Sequence, residues 1–88
     1  MDIEIRKSFS KDVDKIRDKK LLSVISETIG LIENAASVRE IRQIKKIEGS
    51  KNHYRIRIGD YRMGLLIENK TVFIVRFLHR KEIYKYFP

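Results

Sequence analysis

Three runs of strand-forming residues follow one another almost without a break: Tyr54–Ile58, Tyr61–Ile67 and Thr71–His79. Gly59-Asp60 alone parts the first two, and a short turn at Asn69-Lys70 parts the next two. Connections this short cannot cross over a sheet, so the strands must run antiparallel, as a meander. Glycine favours the first turn because it takes positive φ without steric cost. The upstream half must then supply a layer that buries one face of the sheet.

Two amphipathic segments answer that need. A short first strand over residues 2–7 carries Ile3 and Ile5, after which Ser8 or Ser10 is placed to cap a helix. Asp12 and Asp14 would lie in its first turn, where the dipole favours them, and Phe9, Val13 and Ile16 recur at helical spacing. A second helix runs from about Lys20 to Asn34, with a stripe of Leu21, Leu22, Ile25, Ile29 and Ile32. Residues 35–52 read as a short helical turn, with Ser37 and Glu40 at capping-box spacing, then extended chain and a GSKN loop. Lys81–Phe87 is a short helix or a tail. The expected fold is α+β in the order β-α-α-β-β-β. A helical hairpin packs on one face of a small, mainly antiparallel sheet, in one domain spanning residues 1–88.

At 88 residues the core must be modest, and with no cysteine it has neither disulfides nor thiolate metal sites to support it. The two histidines, His53 and His79, are far apart and give no ligand spacing, so no metal or other cofactor is expected. No glycine-rich phosphate loop or nucleophile elbow is present. The start, MDIEIRKSF, has no apolar run of the signal-peptide kind, and no stretch nears the roughly 20 apolar residues of a membrane span. A soluble, cytoplasmic protein with no membrane contact is expected.

Twenty basic residues against twelve acidic ones give a net charge of +8. Residues 1–50 contribute eleven Lys/Arg and nine Asp/Glu, a net of +2, whereas residues 51–88 contribute nine and three, a net of +6. Such a concentration points to a polyanionic partner, nucleic acid before membrane. Strand alternation sharpens the point. Tyr54, Ile56, Ile58, Tyr61, Met63, Leu65, Ile67, Phe73, Val75, Phe77 and His79 are assigned to one face, which belongs under the helices. The other face collects Arg55, Arg57, Arg62, Arg76 and Arg80, around a bare Gly64 that leaves room for something to approach. Arginine stems covering the back of a thin sheet would explain the pattern without a ligand. Phosphate binding explains the choice of arginine over lysine better, because the planar fork matches phosphate bidentately. Lys46 and Lys51 extend the basic surface. Tyr84 is a candidate stacking platform for an unpaired base, Tyr86 and Phe87 are expected to pack, and His79 is a candidate catalytic histidine beside Arg80.

The segment IKKIEGSKNHYRIRIGDYRMGLL (44–66), with FLHRKEIYKYFP (77–88), resembles the RelE/ParE superfamily of toxins from prokaryotic type II toxin–antitoxin pairs. "YRIRIGDYR" and "HRKEIY" carry the likeness, and the element order fits the whole chain. The resemblance implies one of two activities: messenger-RNA cleavage in the ribosomal A site, as in RelE-like members, or inhibition of DNA gyrase, as in ParE-like members. Arg55, Arg57, Arg62, Arg80 and Tyr84 match basic and tyrosine positions of the RNase branch, which favours an endoribonuclease (an mRNA interferase) that inhibits translation. In that reading Arg62, Arg80, Tyr84 and His79 are catalytic, and Arg55, Arg57, Arg76, Lys46 and Lys51 bind RNA. Family members often carry lysine where this chain has Arg55 and Arg57. Arginine is effectively never neutral, so the general base falls to His79, Tyr84 or the ribosome. A catalytically inactive interaction module is a third reading. The implied partners are the ribosome with its A-site message and an acidic, partly disordered antitoxin, with DNA contacted only through the antitoxin. The exposed part of the second helix's stripe and the arginine face are the surfaces such an antitoxin would cover.

Overall fold

The computed structural model describes residues 1–88. The chain runs β1 (Asp2–Ile5), α1 (Lys7–Asp14), α2 (Lys19–Asn34), a 3₁₀ turn (Val38–Glu40), β2 (Ile44–Lys46), β3 (His53–Ile58), β4 (Tyr61–Glu68), β5 (Thr71–His79) and α3 (Ile83–Tyr86). The five strands form one sheet in the order β1-β5-β4-β3-β2. The expected meander is its centre, with both turns at the expected residues: Gly59 and Asn69 take φ of 57° and 56°. β1 adds to β5 in parallel, Asp2 opposite Thr71. β2 adds to β3 antiparallel and makes an edge strand from the extended chain expected after the helical turn.

One face of the sheet is closed by the helices. Phe9 of α1 and Ile25 and Ile32 of α2 join Ile41, Ile56, Met63, Leu65, Ile67, Val72, Ile74 and Phe77 in a single buried cluster. Each such side chain contributes roughly 1.5–3 kcal/mol by leaving water. Phe77 sits at the centre, stacked on Tyr61 at 5.1 Å and met edge-on by Phe9 at 6.3 Å. Asp18 caps α2, its Oδ1 accepting from the Lys20 and Leu21 amides at 2.9 and 3.2 Å. At the other end of α2 the Met1 ammonium donates to the Glu33 and Ala35 carbonyls, satisfying acceptors that have no helical partner.

The strand alternation of β5 differs from the simple expectation. Gly64 pairs with Arg76 but Leu65 pairs with Ile74, so Val75 is an extra residue, a β-bulge. Upstream of it the faces are exchanged: Val72 and Ile74 are the buried residues, while Phe73 lies under the Arg6 guanidinium, 4.8 Å from its ring centre. The bulge is held in place by α1, because the Ser8 hydroxyl donates to the Val75 carbonyl at 2.6 Å. Ser8 is therefore not a cap, and neither is Ser10. α1 begins at Lys7, and Arg6 occupies the cap position without a side-chain hydrogen bond. Nor does Asp12 lie in the first turn. It is buried in the second, against the free edge of β5. Ser37 precedes the 3₁₀ turn, also without a side-chain cap, so the capping box does not form.

Candidate functional site

The second face of the sheet carries the positive charge. Cross-strand register sets two rows on it. One runs through Lys45, Arg55, Gly64 and Arg76, and the other through Arg57, Arg62 and Leu78. Arg57 and Arg62 stand directly opposite, an arrangement that costs stability unless an anion intervenes. Arg62 is half-buried, and its Nη1 donates to the Gly59 and Tyr61 carbonyls, 2.9 Å to each. The Arg80 amide donates to the Asp60 carbonyl at 2.7 Å, so both arginines converge on the β3–β4 turn. The Arg80 guanidinium reaches the Asp60 carboxylate only at 3.9 Å, with both side chains in water, which neutralises little.

Burial lowers the pKa of the Arg62 guanidinium below its ordinary value, and the charges of Arg55, Arg57 and Arg80 add to the effect. Tyr84 acts on it in the opposite sense. The charges of Arg55, Arg57, Arg80 and Tyr84 therefore all bear on Arg62, which sits at the middle of the cluster. Tyr84 is 60% exposed, as a stacking platform for an unpaired base has to be.

Three expected features of this face turn out otherwise. Arg76 does not stand free with the other four, since Asp12 binds it through Nε at 2.8 Å and Nη2 at 3.0 Å. The hydrogen bond to Asp12 raises the Arg76 pKa above its ordinary value, against the opposing effect of burial. No carboxylate near Arg76 in sequence does this; a residue of α1 does. The space above Gly64 is also filled. A Cβ there would fall 2.9 Å from the Phe87 ring, and Phe87 is 3% exposed, with His53 edge-on to it at 5.3 Å. Ile83 and Phe87 thus pin the C-terminal segment onto this face, while Tyr86, expected to pack, is 58% exposed beside the Arg76 guanidinium.

His79 lies on the opposite side of the pleat from Arg62. It pairs with Tyr61 across β4–β5, and its Nδ1 accepts from the Lys81 amide at 3.1 Å, which shapes the turn that carries Arg80. Lys46 lies opposite Tyr54 on the other side of the pleat, and Lys51 lies in the loop before β3. The residue missed in the sequence is Lys45, in register with Arg55. Reading residues 44–46 as a strand and applying the same alternation would have found it. No group of three or more histidines and carboxylates could hold a metal ion, and no helix is long and apolar enough to cross a membrane.

Comparison with known proteins places this geometry. A family model described as the ParE toxin of the type II toxin–antitoxin system parDE matches residues 3–84. Toxin RelE3 of Methanocaldococcus jannaschii is 38% identical over 92 residues, spanning all of both chains. Among solved structures, a RelB–RelE antitoxin–toxin complex from Methanococcus jannaschii superposes with a TM-score of 0.80 at 38% identity, covering 96% of this chain and 98% of that one. An archaeal RelE–RelB complex from Pyrococcus horikoshii OT3 gives 0.73 at 25% identity, covering 90% and 93%.

Proposed function

Since this chain belongs to the RelE/ParE family of type II toxin–antitoxin toxins, we propose that it is a ribosome-dependent endoribonuclease that cuts messenger RNA in the A site and so halts translation. The observation that carries this reading is the gathering of Arg55, Arg57, Arg80 and Tyr84 about Arg62 on one face of the sheet, with Arg57 directly opposite Arg62 and the Asp60 carboxylate reaching only Arg80, at 3.9 Å.

RNA carries its own nucleophile. The 2′-hydroxyl attacks the adjacent phosphorus, the bond to the 5′-oxygen breaks, and a 2′,3′-cyclic phosphate and a free 5′-hydroxyl result. The protein has to stabilise the charge that builds on the phosphorane and hold the attacking oxygen in line. Arg62 and Arg80, converging on one turn, bind the non-bridging oxygens. Arg55 and Arg57 hold the backbone, and Tyr84 stacks on a base or orients it. The chemistry draws on no metal ion. With arginine at 55 and 57, proton removal falls to Tyr84, to His79 or to a ribosomal group, and the rate enhancement rests mainly on charge stabilisation and orientation. His79 contributes at least by shaping the turn that presents Arg80.

The archaeal relatives were solved as complexes with RelB antitoxins, and a cognate antitoxin is the partner proposed for this chain. An acidic, partly disordered segment would neutralise the arginine face as it folds. The apolar residues that α2 leaves exposed, Val24 and Leu31, offer it a second hold. Contact with DNA would come through the antitoxin, in the cytoplasm.

Primer extension on a defined message in a purified translation system tests the reading. Cuts at the A site that need ribosomes and vanish in Arg62→Ala/Arg80→Ala support it. Intact message with normal protein synthesis overturns it. The family model's description as a ParE toxin favours one second reading, gyrase inhibition, for which a supercoiling assay is decisive. A protein inert in both assays would be an interaction module.

A further inference from the structure

The row through Lys45, Arg55, Gly64 and Arg76 is blocked along most of its length. Phe87 covers Gly64, and Asp12 neutralises Arg76 at the far end. The charge left available on it is Lys45 and Arg55, at the β2 edge. This pair lies two residues along β3 from the Arg57–Arg62 row, about 6.6–7 Å away. A phosphate gripped by the second row leaves the first free for the next group of the strand. Beside Lys45 and Arg55 a groove of about 340 Å³ opens, bounded also by Lys46, Ile47, Glu48 and Tyr84. Ile47 and the exposed Tyr84 suit a base, the groove's cations suit the attached phosphate, and Glu48 disfavours a further one.

We propose that the groove between β2 and α3 binds the nucleotide adjoining the cut phosphate, with Lys45 as the positioning residue for that nucleotide's own phosphate. The strand then leaves the protein over the β2 edge and not across Gly64. This deepens the ribonuclease reading and rests on it for the position of the cut. Lysine at a sheet edge also discourages strand-to-strand aggregation, so the test has to separate binding from that structural role.

The test measures binding to ribosomes programmed with a message that lacks the 2′-hydroxyl at the A-site cut, over a range of salt. Lys45→Ala should weaken binding about five- to tenfold and lower the slope of log K against log salt by about 0.7, the single-strand value for one phosphate. Lys45→Arg should restore both. Lys70→Ala, in the turn at the opposite end of β4, should change neither, and sedimentation confirms that all variants stay monodisperse. Binding and slope for Lys45→Ala equal to those of Lys70→Ala overturn the inference, even if cleavable message is cut. A Lys45-dependent slope with cleavable message left intact overturns the nuclease reading alone. Wild-type protein that does not bind overturns both.

Discussion

Asp12 and Arg76 stand 64 residues apart in the chain and are joined by two hydrogen bonds, 2.8 and 3.0 Å long. The oxygen that takes the Arg76 Nε also accepts the Phe77 amide at 2.9 Å. One carboxylate therefore closes the edge of β5 beyond the end of β1 and withdraws one arginine from the basic face. The raised Arg76 pKa fixes the pH behaviour of its contribution. Stability from a raised cation is fully present below the unfolded guanidinium value and is lost only as pH climbs through the higher folded one. Alkaline titration within the working range will not release Arg76.

Substitution will. Asp12→Ala leaves the Phe77 amide and a half-buried guanidinium without partners, and should cost about 2–4 kcal/mol in urea denaturation. Asp12→Ala/Arg76→Met should recover part of that loss, because the second change removes the orphaned charge. A single-variant loss under about 0.5 kcal/mol would show that water replaces the carboxylate without penalty.

Gly64 and Phe87 make a second pair to test. Gly64→Ala sets a methyl group 2.9 Å from the Phe87 ring, too close to stand, and should destabilise by about 1–3 kcal/mol. The C-terminal segment should become protease-sensitive at the same time. Phe87→Leu in the Gly64→Ala background should cost less than in wild type, a coupling that a double-mutant cycle reads directly. Strictly additive effects would mean that the ring and glycine do not touch.

Arg57 opposes Arg62 in register, and removing one of two facing like charges relieves repulsion. Arg57→Ala should therefore leave stability unchanged or raise it by about 0.5 kcal/mol while reducing cleavage, a trade expected of a functional position. Loss of stability would assign Arg57 to the scaffold.

Burial and neighbouring cations lower the pKa of the cation at position 62. Arginine remains charged regardless. Lysine starts near about 10.4, so the same surroundings bring its titration into reach. A depressed cation loses charge as pH rises, so cleavage by Arg62→Lys should fall at alkaline pH where wild type does not. Parallel profiles between pH 6 and 10 would argue against charge at this position.

The parts legible in the sequence were those written in local chemistry. Gly59-Asp60 and Asn69-Lys70 announce two hairpins, and the Leu/Ile spacing of residues 21–32 announces α2. Period-two alternation also sorted Arg55, Arg57 and Arg62 onto one face correctly. It failed at Val75, because an inserted residue leaves no mark in composition and a slip of one exchanges the faces. β2 was hidden by its length of three residues and by Ile41, Ile44 and Ile47, whose spacing suits a helix as well as a strand. Without β2, Lys45 had no face. The Asp12–Arg76 and Gly64–Phe87 contacts join distant segments through geometry, which no local pattern encodes.

β1 pairs only with β5, Ile3 opposite Val72, so the first strand has no neighbour until nearly the whole chain exists. Until then α1 and α2 lack a complete sheet to cover, and pairing over such sequence separations is slow. Arg80 and Tyr84 follow β5 and complete the basic face last. During synthesis, the stretch that lets β1 dock is followed at once by the last members of the arginine group, so the sheet and the proposed site are completed together.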